Sequence, residues 1–203
     1  MSRSILVTGA TGKQGGALIE HLISKSNDFT ILAVTRDAKS PSANRLSSKS
    51  PSIKLVQGDL EYPIELFKAA KEVSPNQKIW GVFSVQAVNF KGGKIEDAPE
   101  VKQGISLVDE SLKNNVEQFV YSSVDRGGSE KSWNNPTNVP HFATKNMIEQ
   151  HLKKSTIGSS MKWSILRPVI FMDNLEPGFQ SKVFMASLRD TMKEKKNVLD
   201  FMF

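Results

Sequence analysis

The chain of 203 residues contains no cysteine and only three histidines, His21, His141 and His151. The absence of cysteine excludes disulfide bonds, thiolate metal sites and a cysteine nucleophile. The three histidines stand far apart in the sequence, and this spacing argues against a metal centre. We therefore predict a protein without a metal site.

Long apolar runs and nucleic-acid-binding signatures are also missing. The N-terminal apolar run is too short for a signal peptide, and no later run is long enough to span a bilayer. We therefore expect a cytoplasmic protein without a membrane partner, with the nucleus as an alternative location. The net charge of +6 is a modest excess that suits an anionic ligand. Because no helix-turn-helix, zinc or RNP-type signature accompanies it, direct nucleic-acid binding is not expected.

A glycine-rich turn near the N-terminus is the first informative feature. Residues 5–7 form a short apolar run typical of a buried parallel strand. Gly9, Gly12 and Gly15 follow it, and apolar residues at helical spacing come next. A pyrophosphate can approach backbone N–H groups closely only where no side chain intervenes, and a helix N-terminus supplies such groups. This context favours a dinucleotide-binding turn over an ordinary glycine-rich turn.

The end of the second β-rich run indicates which dinucleotide fits. Residues 29–34 are followed by Thr35-Arg36-Asp37. In a dinucleotide fold this position faces the adenosine ribose, where an acidic residue binds the 2′-hydroxyl of NAD. A guanidinium instead matches the 2′-phosphate of NADP. Arg36 therefore favours NADP, Asp37 keeps NAD open, and a merely solvated Arg36 is a further alternative.

Two later segments are predicted to reach the same edge of the sheet. Gly58-Asp59-Leu60 follows the third β-rich run, and Val85-Gln86 ends the fourth. Open α/β sheets bind ligands at the carboxyl ends of their strands. Asp59 is predicted to contact the adenine amino group, and capping of the next helix is an almost equally weighted alternative.

Strands and helices alternate along the whole chain. This pattern predicts an α/β fold with a doubly wound parallel sheet, the Rossmann fold, over residues 1–170. Residues 171–203 are assigned to the start of a C-terminal lobe. Residues 39–52 are predicted to form a loop with room for a short helix, and residues 127–140 a polar loop on the substrate side.

With these segments in place, the sequence resembles the NmrA-like branch of the atypical short-chain dehydrogenase/reductases. The stretches that carry the resemblance are residues 7–15, 35–37, 56–60, 121–123, 141–145 with Glu149, and 166–168 with 171–174. The resemblance implies a Rossmann domain whose small C-terminal lobe completes a cleft, a lobe that this sequence contains only in part. It also bears on function, because some members of this family are redox-responsive regulators that bind transcription factors or other proteins. Quinone and phenylcoumaran-type reductases are among the relatives.

The resemblance also implies a set of cofactor contacts. The residues predicted to bind NADP are Gly9, Thr11, Gly12, Lys13, Gln14, Gly15, Arg36, Asp59, Leu60, Val85, Gln86, Lys145, Phe171 and Asn174.

One position departs from the pattern of active reductases. Those enzymes resemble one another in a Tyr-x-x-x-Lys pair, in which the lysine lowers the tyrosine pKa and the phenol acts as general acid. Here the spacing is kept, but His141 stands at the tyrosine position before Lys145. Lys145 is expected to bind the nicotinamide ribose. His141 suits proton transfer near neutral pH, although a helix-start residue without that duty is slightly favoured.

Three functions follow from these features. The favoured hypothesis is an NADP(H)-binding regulator or sensor with little or no reductase activity and a regulatory protein as its partner. The alternative is an NADPH-dependent oxidoreductase acting on a quinone or carbonyl compound, with Lys145 and His141 as catalytic candidates. The third is a scaffold for protein or nucleic-acid interaction. The sequence leaves open whether the protein is an enzyme.

Overall fold

The fold is built from alternating strands and helices, described here from a computed structural model. The structure describes residues 2–25, 28–87, 93–178, 181–183, 185–186 and 189–190. It divides into two units, Met1–Arg167 and Pro168–Phe203.

The strands are β1 (Arg3–Val7), β2 (Phe29–Thr35), β3 (Ile53–Gln57), β4 (Gly81–Ser84), β5 (Gln118–Ser122) and β6 (Lys162–Leu166). The α-helices are α1 (Lys13–Lys25), α2 (Pro41–Ser47), α3 (Pro63–Val73), α4 (Pro99–Lys113), α5 (Ser129–Asn134) and α6 (Pro140–Ser155). Short 3₁₀ helices cover Ile95–Asp97 and Met172–Leu175.

The six strands form one parallel sheet in the order β3-β2-β1-β4-β5-β6. Ile5 of β1 lies opposite Ile31 on one side and Gly81 on the other. The direction of winding therefore reverses between β1 and β4, and such a reversal opens a crevice beyond the carboxyl ends of these strands. The predicted doubly wound Rossmann fold is confirmed.

Apolar clusters cover both faces of the sheet. Leu6 and Phe119 point toward a cluster that includes side chains of α3, α4 and α6. Val7 and Phe83 point toward the other cluster, which includes Ile19 of α1. Because both faces are covered, the central strands are apolar at nearly every position and no alternation with polar residues appears.

Two segments predicted as loops contain helices, and the sequence allowed a short helix in the first of them. Residues 39–52 include α2, whose N-cap Ser40 accepts a hydrogen bond from the Ala43 N–H at 3.3 Å. Residues 127–140, predicted as a polar loop, include α5. That helix is held by tertiary contacts, since the hydroxyl of buried Ser132 accepts a hydrogen bond from the Arg126 N–H at 2.9 Å. Six residues are too few to show helical periodicity, so the prediction of a continuous loop was wrong.

The second unit begins at Pro168 and contains the 3₁₀ helix Met172–Leu175. Residues 191–203 lie outside the part of the chain that the structure describes, and so does the side chain of Asn174. The predicted extent of a C-terminal lobe, from residue 171 to residue 203, stays a prediction. No helix within the described ranges is long and apolar enough to cross a membrane.

Candidate dinucleotide-binding site

The glycine turn between β1 and α1 has a backbone that side chains would block. Gly9 has a φ of +59°, a left-handed conformation that favours glycine. A Cβ on Gly15 would lie 2.3 Å from the carbonyl oxygen of Gly9, so only glycine lets α1 pack this closely on the turn. Gly12 closes the turn through its N–H, which donates to the Gly9 carbonyl at 2.9 Å, and a Cβ at this position would lie 3.2 Å from the same oxygen. Each of the three positions thus has its own physical reason to be glycine, as expected for a dinucleotide-binding turn.

Thr8 ties this turn to the end of β4. Its buried hydroxyl lies 2.9 Å from the carbonyl oxygen of Val85 and accepts a hydrogen bond from the Val85 N–H at 2.8 Å. A Cβ on Gly9 would also stand 2.8 Å from Cγ1 of Val85. The turn is therefore fixed against β4 at the point where the winding of the sheet reverses.

A cavity of about 480 Å³ opens beside this turn. Six of the predicted cofactor contacts line it, namely Gly9, Thr11, Arg36, Asp59, Leu60 and Val85. Further lining residues include Ser40 and Ser42, at the start of α2, and Gln103 on α4. Residues far apart in the sequence, from the ends of four strands, thus share one cavity at the carboxyl edge of the sheet.

The tip of β2 presents Arg36 to this cavity. The Arg36 side chain is exposed and has no ion pair within the part of the chain that the structure describes. Asp37 is already engaged, because one of its carboxylate oxygens accepts a hydrogen bond from the Lys39 N–H at 2.8 Å. The arginine therefore has all its donors available to an anion, whereas one oxygen of the neighbouring carboxylate is engaged in a local turn.

Asp59 lies at the end of β3 and lines the same cavity. Its Oδ1 accepts a hydrogen bond from the Glu61 N–H at 3.0 Å. Helix α3 instead begins after Tyr62, which caps it without a side-chain hydrogen bond. Asp59 thus closes the turn before α3 and does not cap the helix. Its contact with adenine stays a prediction.

Two predicted contacts are turned toward other partners. Gln14, in the first turn of α1, accepts a hydrogen bond from the Ser122 hydroxyl at 2.5 Å. Gln86 is buried, and its amide donates to the Ser84 hydroxyl at 2.9 Å. These side chains stiffen the edge of the sheet, and their contact with a dinucleotide stays a prediction. Lys13 lies beside Gln14 at the start of α1.

Lys145 lies on α6 and is not among the residues that line the cavity. Its side chain is buried, and Nζ stands 3.0 Å from Oε1 of Glu100 on α4. The same ammonium donates to the backbone carbonyl of Ser122 at 3.2 Å. Lys145 thus forms a buried ion pair at the end of β5. Gln14 contacts the same strand end, through Ser122.

His141 occupies the first turn of α6 and stays partly exposed. Partial burial lowers the pKa of its imidazole, and the charge of Lys145 lowers it further, while Glu100 opposes the shift. The ring is therefore neutral at pH 7 and holds no extra proton for a developing oxyanion. This environment favours the interpretation of His141 as a helix-start residue.

The two tyrosines of the chain do not replace the absent phenol. Tyr62 stands at the start of α3, and Tyr121 is fully buried in β5 beneath Lys145, whose Nζ lies 5.6 Å from the ring centroid. Burial raises the pKa of Tyr121 well above its usual value, and the charges of Glu100 and Glu149 add to the shift. A phenol in this position stays protonated and out of reach of a substrate.

A second buried charge cluster lies next to this region. Glu149 of α6 receives hydrogen bonds from Arg126 at 2.6 Å and from Arg167 at 2.8 Å, and it also bonds the Ser123 hydroxyl. Burial alone would raise the pKa of Glu149, but the hydrogen bonds from Arg167, Arg126 and Ser123 outweigh it and lower the pKa. Arg167, which directly follows β6, thus links the end of that strand to α6.

Sequence reasoning missed Glu100, Arg126 and the cavity residues Ser40, Ser42 and Gln103. Glu100 had a usable signal, because it is four residues before Gly104 and seven before Leu107, both on the buried face of α4. Arg126 and the two serines stand in segments without periodicity, so nothing in the local sequence marked them.

The sequence also predicted no metal site, and it predicted cofactor contacts from two residues near the C-terminus. No group of three or more His, Cys, Asp or Glu side chains suitable for a metal ion occurs among the described residues. Phe171 belongs to the second unit, and the side chain of Asn174 lies outside the described part. Their predicted contacts with the nicotinamide end stay predictions.

Comparisons with known sequences agree with this architecture. A family model described as the NmrA-like family matches residues 1–195. An NmrA-like family domain-containing protein of Dictyostelium discoideum is 30% identical over 154 residues, which cover 76% of this chain and 46% of that protein. The nitrogen metabolite repression protein of Neurospora crassa is 26% identical over 176 residues, covering 80% of this chain and 35% of that protein. An NmrA-like family domain-containing oxidoreductase of Aspergillus hancockii is 27% identical, covering 76% and 43%. The chain spans less than half the length of these relatives.

Solved structures share the fold at low sequence identity. The triphenylmethane reductase of Citrobacter sp., solved with NADP(H), superposes with a TM-score of 0.62 at 18% identity, covering 84% of this chain and 50% of that one. The Bordetella bronchiseptica enzyme WbmH, solved with NAD⁺, gives a TM-score of 0.61 at 16% identity, covering 83% and 56%. Both likenesses support the Rossmann architecture.

Proposed function

Because the chain belongs to the NmrA-like family, we propose that it binds NADP(H) at the carboxyl edge of its sheet. In this proposal it acts as a redox-responsive regulator or sensor with little or no reductase activity. The dinucleotide lies with its pyrophosphate at the glycine turn and its adenosine phosphate at Arg36. Neighbours solved with NAD⁺ and NADP(H) support a nicotinamide ligand, and the relative named as a nitrogen metabolite repression protein supports a regulatory role.

The exposed guanidinium of Arg36 in the cavity is the observation that favours NADP over NAD. It has no ion pair among the described residues, and one carboxylate oxygen of Asp37 beside it accepts a hydrogen bond from the Lys39 N–H. A 2′-phosphate offers the charge and the geometry that a free guanidinium binds most strongly. An NAD site would instead present an available carboxylate to the ribose hydroxyl.

The opposite end of the proposed site supports binding without turnover. His141 replaces the tyrosine of active reductases and is neutral at pH 7 because its pKa is lowered. Lys145 is paired with Glu100, and its ammonium is shielded from solvent. Neither side chain is arranged as a proton donor for a carbonyl oxygen. A protein of this kind reports the cofactor by changing its contacts with a partner, for which a transcription factor or another regulatory protein is the proposed class.

A calorimetric titration with NADPH, NADP⁺, NADH and NAD⁺ tests the cofactor assignment. We expect the two phosphorylated dinucleotides to bind more tightly. Arg36→Asp should weaken them about 100-fold, because a charge-assisted pair becomes a repulsion, and should change NADH and NAD⁺ less than about threefold. Arg45→Asp, the same charge change on an exposed residue of α2, is the matched control and should leave all four constants unchanged. Equal losses for all four ligands in Arg36→Asp would refute the assignment.

An NADPH-dependent reductase acting on a quinone or carbonyl compound is the second candidate. The observation that favours it is the NmrA-like family domain-containing oxidoreductase of Aspergillus hancockii among the relatives. An acceptor that takes its proton from solvent needs only hydride delivery, so the absent tyrosine does not forbid turnover. NADPH oxidation measured across a panel of quinones and aldehydes separates the two functions. Sustained oxidation that is lost in Lys145→Met would establish the reductase and exclude the non-catalytic sensor.

A further inference from the structure

We propose that Glu100 is the positioning residue for Lys145, and that it holds the lysine ammonium at the end of β5 for the nicotinamide ribose. The ribose contact rests on the proposed function, whereas the hold on Lys145 stands on the structure. Glu100 was absent from the cofactor residues that the sequence indicated.

The burial of Glu100 demands a partner. Only 1% of its surface is exposed, and it lies in the first turn of α4. A carboxylate removed from water is strongly destabilising unless it is paired and hydrogen-bonded. Thr144 of α6 donates its hydroxyl to Oε2 at 2.7 Å, and the Lys145 ammonium stands 3.0 Å from Oε1. Two consecutive residues of α6 thus engage the two oxygens of one carboxylate.

Close packing of the two helices brings these groups together. A Cβ on Gly104 would lie 2.5 Å from Cδ1 of Ile148, so α4 and α6 approach at a distance that only glycine allows. Glu100 is one helical turn before Gly104, and Lys145 is nearly one turn before Ile148. The contact between Gly104 of α4 and the Ile148 side chain of α6 therefore sets where the ion pair forms.

The ion pair in turn reaches the glycine turn. The Lys145 ammonium donates to the backbone carbonyl of Ser122, whose hydroxyl donates to Gln14 at the start of α1. A lysine side chain has four rotatable bonds and would otherwise sample many positions. Glu100 removes that freedom by fixing the ammonium beside the strand end that faces the predicted dinucleotide.

Glu100→Gln tests this role, because it keeps an acceptor for the Thr144 hydroxyl and removes the charge. The first readout is the pH at which Lys145 reacts with an amine-acylating reagent, mapped by mass spectrometry. The titratable groups facing Lys145 are Glu100 of α4, Tyr121 of β5 and His141 of α6. We expect the midpoint of labelling to fall in Glu100→Gln, since a buried ammonium without its carboxylate loses its proton more easily. Glu110→Gln on the same helix, whose carboxylate pairs with Lys113, is the matched control and should leave the Lys145 midpoint unchanged.

The second readout is the dissociation constant of NADPH in a double-mutant cycle. We expect Glu100→Gln to weaken binding about tenfold when Lys145 is present, and less than twofold in a Lys145→Met background. An equal loss in both backgrounds, or an unchanged labelling midpoint in a folded Glu100→Gln protein, would overturn the proposal. If Glu100→Gln does not fold, Glu100→Gln/Lys145→Met should restore folding, and failure to do so would also overturn it. Absence of NADPH binding by the unmodified chain would refute the proposed function, and the labelling midpoint would still decide whether Glu100 holds Lys145.

Discussion

The two ends of the proposed site satisfy their charges in opposite ways. At the tip of β2, Arg36 is exposed and has no ion pair among the described residues. On α6, Lys145 and Glu149 are buried, and each is paired with an opposite charge from another element. A charge left in water is available to a ligand, whereas a buried pair is committed to the fold. The open end is thus built to bind, and the closed end is built to stay in place.

Removal of a charge should therefore lower the free energy of unfolding strongly at the closed end and only slightly at the open end. Glu149→Ala leaves the fully buried Arg126 without its carboxylate, and we expect the free energy of unfolding to fall by about 3–5 kcal/mol. Arg36→Ala should change it by less than about 0.5 kcal/mol, because the side chain is solvated. Urea denaturation at pH 7 measures both. A loss of less than about 1 kcal/mol in Glu149→Ala would remove the contrast.

The glycine turn belongs to the open end, and a single methyl group should break it. The Cβ of Gly15→Ala would lie 2.3 Å from a backbone oxygen, a contact that no rotamer can relieve. We expect α1 to shift on the turn and NADPH binding to weaken about 100-fold, since the N–H groups no longer converge on the pyrophosphate. Calorimetry of the variant measures the loss.

The neighbouring glycine provides the control for this experiment. A Cβ on Gly16 would meet nothing closer than the Ala10 carbonyl oxygen at 3.6 Å, an ordinary contact. Gly16→Ala should keep NADPH binding and stabilise the chain by about 0.5–1 kcal/mol, because alanine favours the helix. Unchanged binding in Gly15→Ala, or an equal loss in Gly16→Ala, would show that close packing at this turn does not determine affinity.

The open end was also the part of the site that the sequence predicted best. Gly9, Gly12 and Gly15 were predicted from their place between a strand and a helix, which follow one another within a few residues. Arg36 was predicted from its place at the end of β2, and the structure does line the cavity with it. The glycine turn and Arg36 can be predicted because the residues involved follow one another closely in the sequence. The sheet can be predicted from the alternation of strands and helices.

The closed end depends on pairs that no local pattern encodes. Glu100 meets Lys145 only where α4 packs against α6, and Arg126 meets Glu149 only where the segment after β5 lies against α6. Gln14 was predicted as a cofactor contact, but its side chain bonds Ser122 on β5, far away in the sequence. Charged residues are read as solvated by default, so buried ion pairs are the class of contact that sequence reasoning misses.

The titration of His141 has the smallest expected effect of these predictions, and it tests the charge arrangement at the closed end. Partial burial and the Lys145 charge both disfavour the imidazolium, so its midpoint, followed by NMR of the ring protons, should lie below 6.5. Lys145→Met removes one of these causes and also leaves Glu100 without its counter-charge, and both changes should raise the midpoint. Lys154→Met, an exposed lysine on the same helix, should leave it unchanged. A midpoint above 6.5 in the unmodified chain would mean that His141 carries a proton near neutral pH, and the closed end would then hold an acid suited to reduction of a carbonyl.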